Sequence, residues 1–262
     1  MKIPAPLSFV LFLMVLNAQA AVVTEQVSYR DGDTVMKGVI VYDDDIKGER
    51  PGVLVVHEWW GHNDYARKRA TMLAEMGYTA LAVDMYGDGK TASHPDDAGK
   101  FSGAVMSNMP VAKARFESAM TTLKQHATVE DDKIAAIGYC FGGGVVLAMA
   151  RMGVELKGVA SYHGSVATKM PVAKGVVKAK IRVFNGADDP FITAEQIAAF
   201  KQEMEAAAVD YKFVNYPGVK HSFTNPGADE VGKKFSLPLA YNAEADKLSW
   251  SDTRTFLKEI FK

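Results

Sequence analysis

The chain contains one cysteine, Cys140, set in Gly138-Tyr139-Cys140-Phe141-Gly142-Gly143. An apolar run, Ile134-Ala135-Ala136-Ile137, precedes it, and a helix-like run, Val145 to Arg151, follows. A strand that turns sharply into a helix needs small residues on both sides of the turn residue, and Gly138 and Gly142 supply them. The pattern is a nucleophile elbow, Gly-x-nucleophile-x-Gly, with sulfur where a serine oxygen is commoner. A thiol on such a turn stands above a sheet at a helix N-terminus, where the dipole favours the reactive thiolate. With no second cysteine, Cys140 cannot form an intrachain disulfide. A lone cysteine can equally be a small buried hydrophobe. A thiol nucleophile needs a histidine base and usually an orienting acid, so those decide between the two readings.

A histidine stands where the base should be. His221 lies in Gly218-Val219-Lys220-His221-Ser222-Phe223, just after the apolar run that ends at Tyr216. There it would accept the thiol proton and later hand it to the leaving group. The orienting acid belongs between nucleophile and histidine in chain order. The run Ile181 to Phe184 ends in Asn185-Gly186-Ala187-Asp188-Asp189-Pro190, which offers two aspartates. Asp189 is preferred on its spacing from Gly186 and from the apolar residue beyond it; Asp188 is the alternative. Either could instead be a turn residue beside proline.

A second cluster, His57-Glu58-Trp59-Trp60-Gly61-His62, follows the apolar run Val53 to Val56. It is one residue longer than the zinc motif H-E-x-x-H, so its two histidines would not share a helical face, and no metal is expected. A better reading places the Trp59 N–H in an oxyanion hole opposite the N–H of Phe141, the residue after the nucleophile. Glu58 would then sit close to Cys140.

These residues must be carried by a scaffold, and the rest of the chain reads as alternating strands and helices. Val22 to Tyr29 and Val35 to Tyr42 are joined by Asp31-Gly32-Asp33 as an antiparallel hairpin. Further strands are expected at 53–56, 79–83, 133–137, 159–162, 181–184 and 211–216. Helices are expected at 65–76 with Asp64 as N-cap, 111–125, 193–208 opened by a Thr193/Gln196 capping box, and 243–260. The Gly-, Ser-, Asp- and Pro-rich stretch 86–109 reads as a long loop with at most a short helix. The alternation implies an α/β domain with a mostly parallel sheet covered by helices on both faces. Every candidate falls at the carboxyl end of a strand, where such sheets carry their working residues.

Residues 1–20 stand outside this scheme. Lys2, the apolar stretch Leu7 to Leu16 and Ala18-Gln19-Ala20 make up a secretory signal peptide, too short to span a membrane comfortably. The mature domain is then 21–262, secreted or, for preference, in a bacterial periplasm, with no membrane attachment after cleavage. The chain is 48% hydrophobic and 23% charged with net charge −1, as in ordinary globular enzymes. No basic patch points to nucleic acid, no cofactor is required, and a monomer or weak homo-oligomer is expected.

Together these pieces resemble the dienelactone hydrolase family, the cysteine-using branch of the α/β-hydrolases. The matching segments are His57-Glu58-Trp59-Trp60-Gly61, Asp84-Met85-Tyr86, Gly138-Tyr139-Cys140-Phe141-Gly142-Gly143, Gly186-Ala187-Asp188-Asp189-Pro190-Phe191 and His221-Ser222-Phe223. The resemblance implies the α/β-hydrolase fold, a Cys140–His221–Asp189 triad, and Glu58 as a carboxylate that contacts the resting thiol. It also implies a small ester or lactone as substrate, hydrolysed through a thioester. Family members that open dianionic lactones hold the carboxylate with arginines after the segments equivalent to Tyr86 and Phe223. This chain has Gly87-Asp88-Gly89 and Thr224-Asn225 there, so a neutral or differently charged substrate is expected, walled by Trp59, Trp60, Tyr86 and Phe223. Alternative readings are a thiol-based peroxide-sensing protein and a non-catalytic binding module on a hydrolase fold.

Overall fold

A computed structural model of the protein describes residues 22–169 and 171–262. The signal-peptide reading of residues 1–20 lies outside the described residues. Strands β1 (Val22–Asp31) and β2 (Thr34–Asp43) form the expected hairpin, with Gly32 supplying the positive φ of 56° that its turn requires. The remaining strands are β3 (Arg50–Val56), β4 (Thr79–Val83), β5 (Val129–Tyr139), β6 (Gly158–Tyr162), β7 (Lys180–Gly186) and β8 (Tyr211–Tyr216). All eight join one sheet in the order β1-β2-β4-β3-β5-β6-β7-β8. β2 pairs antiparallel with β4, and every pairing from β4 to β8 is parallel. This is the α/β-hydrolase architecture.

Seven helices are described: α1 (Asp64–Ala74), α2 (Pro95–Met106), α3 (Met109–Lys124), α4 (Phe141–Arg151), α5 (Ala194–Ala206), α6 (Ala228–Phe235) and α7 (Ala243–Ile260). Successive strand residues face opposite ways, which divides the core in two. Leu54 and Val56 pack with Phe116 of α3, Val145 and Met149 of α4 and Phe200 of α5. Val53 and Val55 pack with Leu73 of α1 and Phe256 and Leu257 of α7. Among the described residues no helix is long and apolar enough to cross a membrane.

Three local expectations change. The 86–109 stretch is not mainly loop, because α2 occupies twelve of its residues. Pro95 starts that helix where its missing N–H costs nothing, His94 Nδ1 caps the Asp96 N–H at 3.2 Å, and Asp96 and Asp97 meet the positive end of the dipole. α1 is capped by Asn63, whose side chain accepts from Ala66 N, and Asp64 is already helical. α6 joins the scheme between β8 and α7. The Thr193/Gln196 capping box forms with both of its reciprocal bonds.

Candidate active site

β5 ends at Tyr139 and α4 begins at Phe141, leaving Cys140 alone on the turn between them. Its φ of 53° and ψ of −113° lie outside the regions L-residues favour, a strain on the order of 1–3 kcal/mol that the surroundings must hold. The flanking glycines are what let it exist. A Cβ on Gly138 would stand 2.1 Å from the Gly142 carbonyl oxygen, and one on Gly142 would stand 2.3 Å from that of Val56. The turn is tied down by hydrogen bonds. The Cys140 N–H is shared between Tyr162 O at 3.0 Å and His163 Nδ1 at 3.1 Å, and the Gly142 N–H reaches His57 O at 3.1 Å. Phe141 is the first residue of α4, so its N–H is one of the donors that a helix start leaves free.

His221 follows β8, and the structure brings it against Asp189 and onto the same cavity as Cys140. Its Nδ1 lies 2.7 Å from Asp189 Oδ2. Burial opposes a charge on this imidazole, but Cys140 and Asp189 together outweigh it and push its pKa from 6.5 up to about 10. Asp189, at the end of β7, is buried, and its second oxygen accepts the Phe191 N–H at 2.9 Å. Asp188 is exposed and meets the β8 side only through its backbone N–H to Val219 O. The choice left open between the two aspartates thus falls on Asp189, because only its side chain turns inward.

Glu58 is almost fully buried. Its oxygens accept from Ser222 Oγ at 3.0 Å and Asn225 Nδ2 at 2.6 Å. Burial raises the Glu58 pKa against the pull of those two bonds. Asn225, at one of the two places where an arginine was looked for, therefore serves as a neutral partner of this carboxylate. Neighbouring His57 is engaged at both ring nitrogens, by Glu58 O at 2.6 Å and by the Met85 N–H at 3.3 Å, and burial lowers it to about 4.

A cavity of about 370 Å³ opens over the thiol. Its walls include Trp59, Phe141, Phe191, Ile192, Leu237 and Leu239, with Gly99, Ser102, Gly103 and Met106 of α2 forming another side. Among the described residues, no lysine, arginine, aspartate or glutamate lines it. A wider hollow of about 730 Å³ at the opposite ends of the strands is lined mainly by lysines and carboxylates and holds none of these residues.

Three of the four expected wall aromatics stand behind the wall. Tyr86 is buried against His57 and Phe141, its hydroxyl donating to Trp59 O at 2.9 Å. Phe223 is wholly buried between His163 and Tyr216. Trp60 packs on Trp59 and Phe235, outside the cavity lining. His163 is the residue that sequence reasoning missed. It is fully buried at the end of β6 with a φ of 39°, and both the Cys140 backbone and the cavity touch it. A single histidine after an apolar run carries no spacing signal that could have singled it out.

The model of the dienelactone hydrolase family matches residues 36–261. The solved structure of m3DLH is 34% identical, with a TM-score of 0.88 over 92% of this chain and 100% of that one. A dienelactone hydrolase-like promiscuous phosphotriesterase, P91, from metagenomic libraries is 32% identical, with a TM-score of 0.85 over 93% and 100%. A Bradyrhizobium protein named "probable 2-oxo-3-(5-oxofuran-2-ylidene)propanoate lactonase" is 28% identical over 81% of this chain and 85% of its own length.

Proposed function

This chain belongs to the dienelactone hydrolase family and is a carboxylic ester hydrolase; from that premise we propose that it cleaves small, uncharged esters or lactones through a Cys140–His221–Asp189 triad. The observation that carries this reading is the position of His221, bonded to Asp189 and sharing with Cys140 a cavity that, among the described residues, no lysine, arginine, aspartate or glutamate lines.

In the first half-reaction the Cys140 sulfur bonds to the substrate carbonyl carbon and its proton resides on His221 Nε2. Asp189 holds Nδ1–H and steadies the imidazolium without taking the proton. The carbonyl π pair moves to oxygen, and the N–H groups of Trp59 and Phe141 receive that oxyanion. Collapse of the tetrahedral intermediate breaks the C–O bond, and the leaving alkoxide takes the proton from His221. In a lactone that alcohol stays tethered to the acyl group. A water then gives one proton to His221 and attacks the thioester, and the sulfur leaves and recovers its proton. The apolar walls favour the uncharged substrate, because an anion would give up its hydration with no lysine or arginine in the lining to replace it.

The test is acyl-enzyme trapping with 4-nitrophenyl butyrate. Mass spectrometry of quenched wild type should find one butyryl group (a net gain of C4H6O) on the Cys140 peptide, absent from Cys140→Ala, and Cys140→Ala should not turn over. Turnover by Cys140→Ala would end the nucleophile assignment. A second substrate class is suggested by the name of the phosphotriesterase relative: a neutral phosphotriester suits the same uncharged cavity and belongs in the substrate panel. We also propose that residues 1–20 direct export, so the N-terminus of the purified extracytoplasmic protein should be Ala21.

A further inference from the structure

We propose that His163 is a positioning residue for the nucleophile: as a neutral imidazole with its proton on Nε2, it holds the Cys140 backbone in its left-handed turn by accepting the Cys140 N–H at Nδ1. The proposal rests on Cys140 being the nucleophile.

The hydrogen-bond pattern fixes the tautomer. A backbone N–H can only donate, and His163 Nδ1, 3.1 Å from Cys140 N, shares that donor with Tyr162 O at 3.0 Å, so it acts here as the bare, accepting nitrogen. The proton then sits on Nε2, which faces Thr224 Oγ1 at 2.8 Å. That hydroxyl is in turn 2.6 Å from the Tyr65 hydroxyl, and the backbone oxygen of Thr224 is bonded to Arg69. Arg69 is buried and paired with Asp246 of α7. A chain of bonds therefore runs from the C-terminal helix to the amide of the nucleophile, and His163 is its last side chain.

The ring is confined as well as bonded. His163 has a φ of 39°, rare for a residue with a Cβ, and its own N–H is bound by Phe184 O at 2.8 Å. Phe223 and His221 lie edge-on to it, with ring centroids 5.3 Å and 5.1 Å away. Burial and the neighbouring His221 both disfavour the doubly protonated, charged ring. This has a use. Two buried imidazoles this close cannot both be charged at low cost, so a neutral His163 leaves the charge to His221. A protonated His163 would also have no lone pair for Cys140.

Which nitrogen matters can be tested by substitution. In His163→Asn the amide oxygen can take the place of Nδ1 and still accept the Cys140 N–H. In His163→Gln the amide can reach only as Nε2 does, keeping the Thr224 link and losing the Cys140 one. The expected order is wild type close to His163→Asn, within a few-fold in kcat, with His163→Gln and His163→Ala lower by on the order of tenfold to a hundredfold. KM should stay within about threefold throughout, since misplacing the sulfur affects the reaction more than ground-state binding. Nitrogen-15 NMR of histidine-labelled wild type should find Nε2 protonated and Nδ1 bare at neutral pH.

A protonated Nδ1 in the wild type would overturn the proposal whatever the variants do. So would a His163→Gln enzyme as active as His163→Asn, or kcat falling only in proportion to lost folded protein. Cys140→Ala run alongside separates the two levels of argument. If it stays active, the nucleophile reading itself fails; if it is dead while His163→Gln is fully active, only the role of His163 fails.

Discussion

Nδ1 of His221 and Oδ2 of Asp189 are 2.7 Å apart, while the other oxygen of the same carboxylate is occupied by the Phe191 N–H. The acid is thus held from its own loop and cannot rotate away from the imidazole. Asp189→Asn should lower kcat by on the order of 10⁴-fold, because an amide nitrogen facing Nδ1 favours the wrong tautomer. Asp188→Ala, which removes only an exposed side chain, should change activity less than twofold and stability by no more than about 0.5 kcal/mol. Steady-state kinetics on the two variants check this.

The raised pKa of His221 has a stability consequence with a definite sign. The folded state binds this proton more tightly than the unfolded chain, whose histidine titrates near 6.5. The stabilisation is therefore complete below pH 6.5 and is lost as the pH climbs through about 10. Urea titrations from pH 6 to pH 10.5 should show wild type losing stability relative to His221→Gln across that window, and a flat difference would contradict it. Cys140→Ala should also lower the His221 pKa, since the sulfur helps hold the proton; NMR titration reads this directly.

Two glycine substitutions should move stability in opposite directions. Gly142→Ala puts a Cβ 2.3 Å from the Val56 carbonyl oxygen, a backbone atom that cannot yield cheaply. It should cost at least ~3 kcal/mol and the activity with it. Gly99→Ala adds a methyl group that meets nothing within 4 Å, inside helix α2. It should stabilise by about 0.5–1 kcal/mol and, since Gly99 lines the cavity, raise KM for bulky esters more than for small ones. Thermal melts with a graded ester series decide both.

Asn225→Ala should expose what the Glu58 pocket contributes. It strips one of two hydrogen bonds from a buried carboxylate, a loss of about 1–3 kcal/mol. Asn225 favours the ionised form, so its removal raises the Glu58 pKa further. The penalty should be largest at high pH, where Glu58 must be charged, and shrink as the pH falls and the carboxyl protonates. Denaturation curves of the variant at pH 8 and pH 4.5 would show it.

The elbow was legible because its chemistry forces its neighbours: a turn that tight admits only glycine at 138 and 142, and the pair is visible in sequence. The hairpin, the buried strands and the Thr193/Gln196 capping box were legible for the same reason, each being a short-range rule. α2 was not, because Gly99 and Gly103 weaken the helical signal while its start depends on a histidine cap that few sequences use. The wall aromatics were misplaced because ring size says that Tyr86 and Phe223 are buried, not which side of the wall they take. Between Asp188 and Asp189 the sequence offered two candidates; the backbone at the end of β7 turns only one of them inward. His163 and Asn225 act through partners 23 and 167 positions away, a relation that only the closed sheet creates.

Cys140 follows β5 in the middle of the sheet, whereas His221 follows β8, which pairs with β7 alone and forms the margin. Margins open at lower free energy than centres. Gentle denaturant should therefore silence turnover before the bulk of the core melts, leaving an intact elbow whose sulfur has lost its base. Shelf life of this enzyme would then be governed by how well its outermost strand stays attached, and reinforcing that seam would do more for endurance than repacking the interior.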